Sequence, residues 1–85
     1  MDLTREGERL IEECQLHILR AMWKLPDCQP HGPGVGSQEI ERAAGFGLAL
    51  RRQDNWFTWS LLQRMARDSM IEVIRKGRTK YRLIE

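Results

Sequence analysis

Apolar positions at the start of the chain fall at helical spacing. Leu10, Cys14, Ile18, Ala21, Met22 and Leu25 recur at steps of three and four, which predicts a helix over residues 5–25. Thr4 is the expected N-cap, and Pro26 the expected stop, because the residue before a proline disfavours helix. A second apolar line, Leu16, Leu19 and Trp23, widens the stripe beyond what one small core requires. Residues 26–36 hold six prolines and glycines, which predicts a loop that punctuates rather than packs. Ser37 opens a second helix over 37–44, with Ile40, Ala43 and Ala44 inward and Gly45 as its stop. Residues 45–54 read as a mobile connection with one helical turn.

Asp54 or Asn55 caps a third helix over 55–68, with Trp59, Leu62, Met65 and Ala66 as its buried face. After Ser69 the period changes from helical to alternating. Ile71 and Val73, then Thr79, Tyr81 and Leu83, mark two strands of a hairpin over 70–84. Gly77 suits the left-handed position of a three-residue turn, Arg75-Lys76-Gly77. That turn pairs Ile74 with Arg78, Val73 with Thr79, Glu72 with Lys80 and Ile71 with Tyr81. The order helix, helix, helix, β-hairpin predicts an α+β domain on the winged helix-turn-helix plan, with the hairpin as wing.

The length, 85 residues, fits one domain over residues 1–85 and leaves little room for a deep catalytic cleft. No stretch approaches the roughly 20 apolar residues of a membrane span. The polar, acidic start is unlike a signal peptide, and two cysteines do not make a disulfide scaffold. These features predict a protein with reduced thiols, cytoplasmic or nucleoid-associated, with no membrane partner.

Charge changes the picture once the chain is divided. The formal net charge is +2, but residues 1–41 carry 4 basic and 8 acidic side chains, and residues 42–85 carry 10 basic and 4 acidic. The balance is therefore −4 against +6, which points to a polyanion partner on one side of the molecule. Two elements concentrate that charge. Trp56, Ser60, Gln63, Arg64 and Arg67 share one face of the third helix, opposite Leu62 and Met65. Arg pairs bidentately with guanine and Gln with adenine, so this mixture suits a helix that enters the major groove. Arg75, Lys76, Arg78, Lys80 and Arg82 place five cations in eight residues of the wing, a density that phosphate would neutralise. Arg51 and Arg52 add candidate backbone contacts. The competing explanations are a solvated helix face and cations that guard an edge strand. Trp56 and Phe57 admit stacking on unpaired bases, but Phe57 is better placed to close the core beneath the connection.

Cys14-Gln-Leu-His17 and Cys28-Gln-Pro-His31 share one spacing and together supply a tetrahedral donor set. A continuous first helix sets Cys14 about 16 Å back from Leu25. Cys28 reaches only about 10 Å beyond Leu25. No metal or other cofactor is therefore expected; Cys14 is assigned to the core and Cys28 to an exposed loop. Both histidines lie outside the basic half, and Gly32-Pro33-Gly34-Val35-Gly36 lacks the lysine of a P-loop. An enzyme is not expected.

The chain resembles winged-helix transcriptional regulators, most nearly the PadR-like group, from about residue 15 to 83. Ile18-Leu19 sits in the first helix, and His31-Gly32 precedes Ser37-Gln38-Glu39-Ile40. Trp59-Ser60-Leu61-Leu62-Gln63-Arg64-Met65 is similar to the family's aromatic-x-x-Leu-x-x-Leu pattern. Met70-Ile71-Glu72-Val73 and Gly77-Arg78-Thr79-Lys80-Tyr81-Arg82-Leu83 are similar to its wing strands. Trp59 replaces the usual tyrosine, Ser69 the usual glycine, and the Pro/Gly loop is longer. The family's long C-terminal dimerisation helix has no counterpart before Glu85. The resemblance implies a DNA-binding regulator without catalytic residues.

The expected function is sequence-specific binding of double-stranded DNA, with helix three in the major groove and the wing on flanking phosphate. Without the C-terminal helix, a homodimer is expected through Leu16, Leu19 and Trp23 of helix one. The alternative is a winged-helix protein-interaction module within a larger complex.

Overall fold

The computed structural model describes residues 2–49 and 55–85. In chain order it contains α1 (Leu3–Trp23), a 3₁₀ turn (Pro26–Cys28), α2 (Ser37–Ala44), α3 (Phe46–Ala49), α4 (Trp56–Arg67), β1 (Ile71–Ile74) and β2 (Lys80–Leu83). The arrangement is α+β: the three expected helices, α1, α2 and α4, precede a two-stranded antiparallel hairpin. The one-turn α3 falls within the expected connection.

α1 starts two residues earlier than predicted because Asp2, not Thr4, caps it. The Asp2 carboxylate accepts from the Thr4 and Arg5 amides at 3.0 and 3.3 Å. The helix closes at Trp23, and Leu25 is extended ahead of Pro26, as the proline ring requires. Its buried residues, Gln15, Ile18, Ala21 and Met22, all lie in the C-terminal half. Leu10, expected on the buried stripe, is exposed because the rest of the domain packs beside that half.

The Pro/Gly loop packs, contrary to expectation. Cys28, Gly34 and Val35 are buried within it. The Val35 amide donates to the Tyr81 carbonyl and the Tyr81 amide to the Val35 carbonyl, both at 2.9 Å. Val35 thus adds a one-residue bridge to the hairpin's second strand. Gly34 makes the approach possible. It takes φ +86°, and a Cβ there would lie 2.8 Å from Ile74 Cδ1. Cys28 is a core thiol rather than an exposed one, donating to the Tyr81 carbonyl at 3.6 Å. Burial, aided by the charges of Glu39 and Asp27, pushes its pKa up to about 11.

The hairpin register also differs from expectation. Ile71 pairs with Leu83, Glu72 with Arg82, Val73 with Tyr81 and Ile74 with Lys80, so residues 75–79 form the connection. The displacement is two residues, which keeps every side chain on its predicted face. This register aligns Tyr81 for the Val35 bridge. It also sets Arg82 across from Glu72, where the guanidinium donates twice to the carboxylate at 3.0 and 2.9 Å. Gly77 takes the left-handed conformation predicted for it, φ +78°.

α4 buries Thr58, Leu61, Leu62 and Met65. Trp59, expected inward, is 49% exposed, and Leu61 replaces it. Phe57 accounts for the rotation: it meets Phe46 edge-on at 5.4 Å, and Phe46 in turn packs at 5.3 Å from His17. The helix ends in a Schellman closure, with the Met70 amide on the Met65 carbonyl and the Ser69 amide on that of Ala66. Ser69 therefore occupies the left-handed position, φ +60°, where glycine is ordinarily favoured. The fully buried side chains Ile18, Met22, Ile40, Leu62, Met65 and Tyr81 join α1, α2, α4 and β2 in one core.

Candidate nucleic-acid interface

The burial of Leu61, Leu62 and Met65 turns the polar face of α4 outward beside β1. Between the two elements runs an open groove of about 1020 Å³. Ser60, Gln63, Arg64 and Arg67 line it from α4, and Arg75 from the far end of β1. Four residues predicted from the helix and one from the wing thus share a surface. The groove has an apolar floor as well, made by Ile71, Val73 and Ile84 with Trp59 at its side.

Gln63 is not a free reader. Its Nε2 donates to the Tyr81 hydroxyl at 2.7 Å, which fixes the amide at the groove wall. Burial raises the Tyr81 pKa, so the phenol stays neutral at ordinary pH. Arg82 is likewise committed. It grips Glu72 and donates to the Gly32 carbonyl at 2.8 Å, tying the wing to the Pro/Gly loop. The hydrogen bonds from Arg82 hold the Glu72 carboxyl below its usual range.

The other wing cations face elsewhere. Arg78 and Lys80 line a second groove, about 500 Å³, with Gly36, Ser37, Gln38, Glu39, Arg42, Asn55 and Thr79. This groove opens on the first turn of α2, whose N-cap Gly36 supplies no side-chain cap. Asn55 Nδ2 donates to Ser37 Oγ at 2.6 Å and so joins the starts of α2 and α4. First-turn amides and cations together suit an anionic oxygen.

Lys76 is exposed at the hairpin tip and Trp56 at the start of α4, and neither lines either of these two grooves. Arg51 and Arg52 lie outside the described residues. Compared with models of known families, with curated proteins and with solved structures, the chain finds no match.

Among the described residues no three of His, Cys, Asp and Glu gather as metal ligands. The histidines are engaged separately, His17 Nε2 with the Ala44 carbonyl at 2.8 Å and His31 Nε2 with Glu85 at 2.7 Å. No helix among the described residues is long and apolar enough to cross a membrane. Leu16 and Trp23 are exposed on α1, while Leu19 packs partly against the core.

Sequence reasoning missed three contributors. Tyr81 was read only as a strand residue, and Arg82 as one of the five wing cations rather than as the partner of Glu72, a pairing detectable once the register is known. Arg42 gave no signal, because its role depends on how α2 meets the hairpin.

Proposed function

We propose that the chain is a winged helix-turn-helix protein, similar in type to PadR-like regulators, that binds double-stranded DNA and regulates transcription. α4 would enter the major groove, with Arg64, Arg67 and Gln63 toward base edges and Ser60 toward the backbone. Arg75, Lys76, Arg78 and Lys80 of the wing would meet flanking phosphate. The supporting observation is the joint lining of one groove by the arginines of α4 and Arg75 of the wing. Like charges drawn from two elements onto one concave surface repel each other unless a polyanion neutralises them.

Fluorescence anisotropy on a duplex library tests the proposal. With four to six phosphate contacts, affinity falls roughly 10²–10³-fold between 50 and 200 mM salt. A flat response removes the reading. The apolar floor of the same groove favours a second reading, a module that takes an acidic peptide. No duplex binding at low salt, together with capture of acidic peptides, would select it.

A further inference from the structure

We propose that two copies of this chain associate through the outer face of α1, with the two helices antiparallel. Leu16 and Trp23 are 51% and 63% exposed, and lie on the side of α1 away from Ile18. With Leu19 they form a short seam at steps of three and four, the spacing by which one helix packs along another. Exposed apolar side chains in this pattern demand a cover, and the charges beside them specify which.

Glu13 and Arg20 stand seven residues apart along one edge of the seam. Both are exposed, and among the described residues neither forms an ion pair within its own chain. Their midpoint falls within one residue of the midpoint of Leu16 and Leu19. A two-fold axis through that point sets Leu16 of each copy against Leu19 of the other. The same operation brings Glu13 of each copy beside Arg20 of the other, forming two identical ion pairs. A parallel pair would instead set this edge against the opposite edge of the other copy, bringing Glu13 toward the exposed Glu8, a like charge. The opposite edge carries Gln15 and Met22, both buried in the chain's own core, and Glu8. Glu12, in the seam one turn before Leu16, falls beside Trp23 of the other copy in the antiparallel pair, so the Glu13–Arg20 edge supplies the paired charges. The face is thus self-complementary in charge about the centre of its apolar contact, which identifies a second copy as the occupant.

Sedimentation of the full chain, without nucleic acid, tests this separately from any DNA reading. The chain sediments as a dimer at tens of micromolar. Glu13→Arg and Arg20→Glu each weaken association about tenfold or more, since each replaces two attractions by two repulsions. An equimolar mixture of the two variants re-forms a dimer, because one copy then carries two arginines on this edge and the other two glutamates. The double variant Glu13→Arg with Arg20→Glu restores the homodimer. Circular dichroism confirms that these exposed substitutions leave the fold intact. A monomeric wild-type chain, single variants that associate as well as wild type, or a mixture that stays monomeric overturns the proposal.

Discussion

The hairpin stands between two grooves of different chemistry. The larger, between α4 and β1, combines Arg64, Arg67 and Arg75 with a fixed amide, an exposed tryptophan and an apolar floor. The smaller, between α2 and β2, is lined by polar, charged and glycine residues, with Arg78 and Lys80 of the hairpin facing α2, which supplies Glu39 from its first turn and Arg42 from its last. A surface that distinguishes bases needs directed hydrogen bonds and apolar contact with thymine methyls, while a surface that holds phosphate needs only positive charge and free N–H groups. The cations of the wing are therefore not one set. Arg75 belongs with α4, and Arg78 and Lys80 belong with α2.

Tyr81 lies beneath both grooves, bonded to Gln63 of the larger and next in the chain to Lys80 of the smaller, so its removal breaks the comparison most severely. The residue is fully buried. Its backbone bonds Val35 and accepts from Cys28, and its hydroxyl holds Gln63. Tyr81→Ala should cost about 3–5 kcal/mol, the range for emptying an aromatic site in a core. Chemical denaturation measures the loss, and both grooves should lose their ligand together. A variant that stays folded and loses only one activity would show that the grooves are built independently.

How much of this was legible in the sequence depends on the kind of constraint. The helices and hairpin announce themselves by period, and Gly45 and Gly77 by the left-handed positions they occupy. The exposed face of α4 followed from its apolar positions, apart from Trp59, whose outward turn depends on Phe57 meeting Phe46 across a long connection. Alternation limits a hairpin's register to shifts of two residues and cannot choose among them. That choice came from the Val35 bridge and the Glu72–Arg82 pair, which are long-range contacts. Cys28 and Val35 were unreadable for the same reason: a single bridge residue in a Pro/Gly loop has no period. The division of the wing cations was invisible because it depends on that register.

A smaller lesion sharpens the contrast between the grooves. Arg64→Ala should reduce discrimination between preferred and altered duplexes by about 1–3 kcal/mol, the worth of one bidentate base contact. Lys80→Ala should weaken all duplexes alike and lower the salt slope by about one. Competition anisotropy against a panel of duplexes at several salt concentrations separates the two effects. If Lys80→Ala alters the ranking of sites as strongly as Arg64→Ala, the smaller groove is not a phosphate surface.

The smallest expected effect concerns a single hydroxyl. Tyr81→Phe keeps the ring and the bridge to Val35 and removes only the acceptor for Gln63. The hydrogen bond is part-buried and neutral, so its loss should cost about 1 kcal/mol of stability. Its consequence for recognition is more informative. Gln63 Nε2 has two hydrogens, and the Tyr81 bond uses one; the other, with Oε1, remains able to meet an adenine edge. On that account the hydroxyl holds the amide plane before the duplex arrives. Tyr81→Phe should then lower discrimination at one base position while leaving the salt slope unchanged, because no cation is lost. If binding at every position is unaffected, the Gln63–Tyr81 bond serves only to join α4 to β2. Base discrimination by the larger groove would then rest on its arginines.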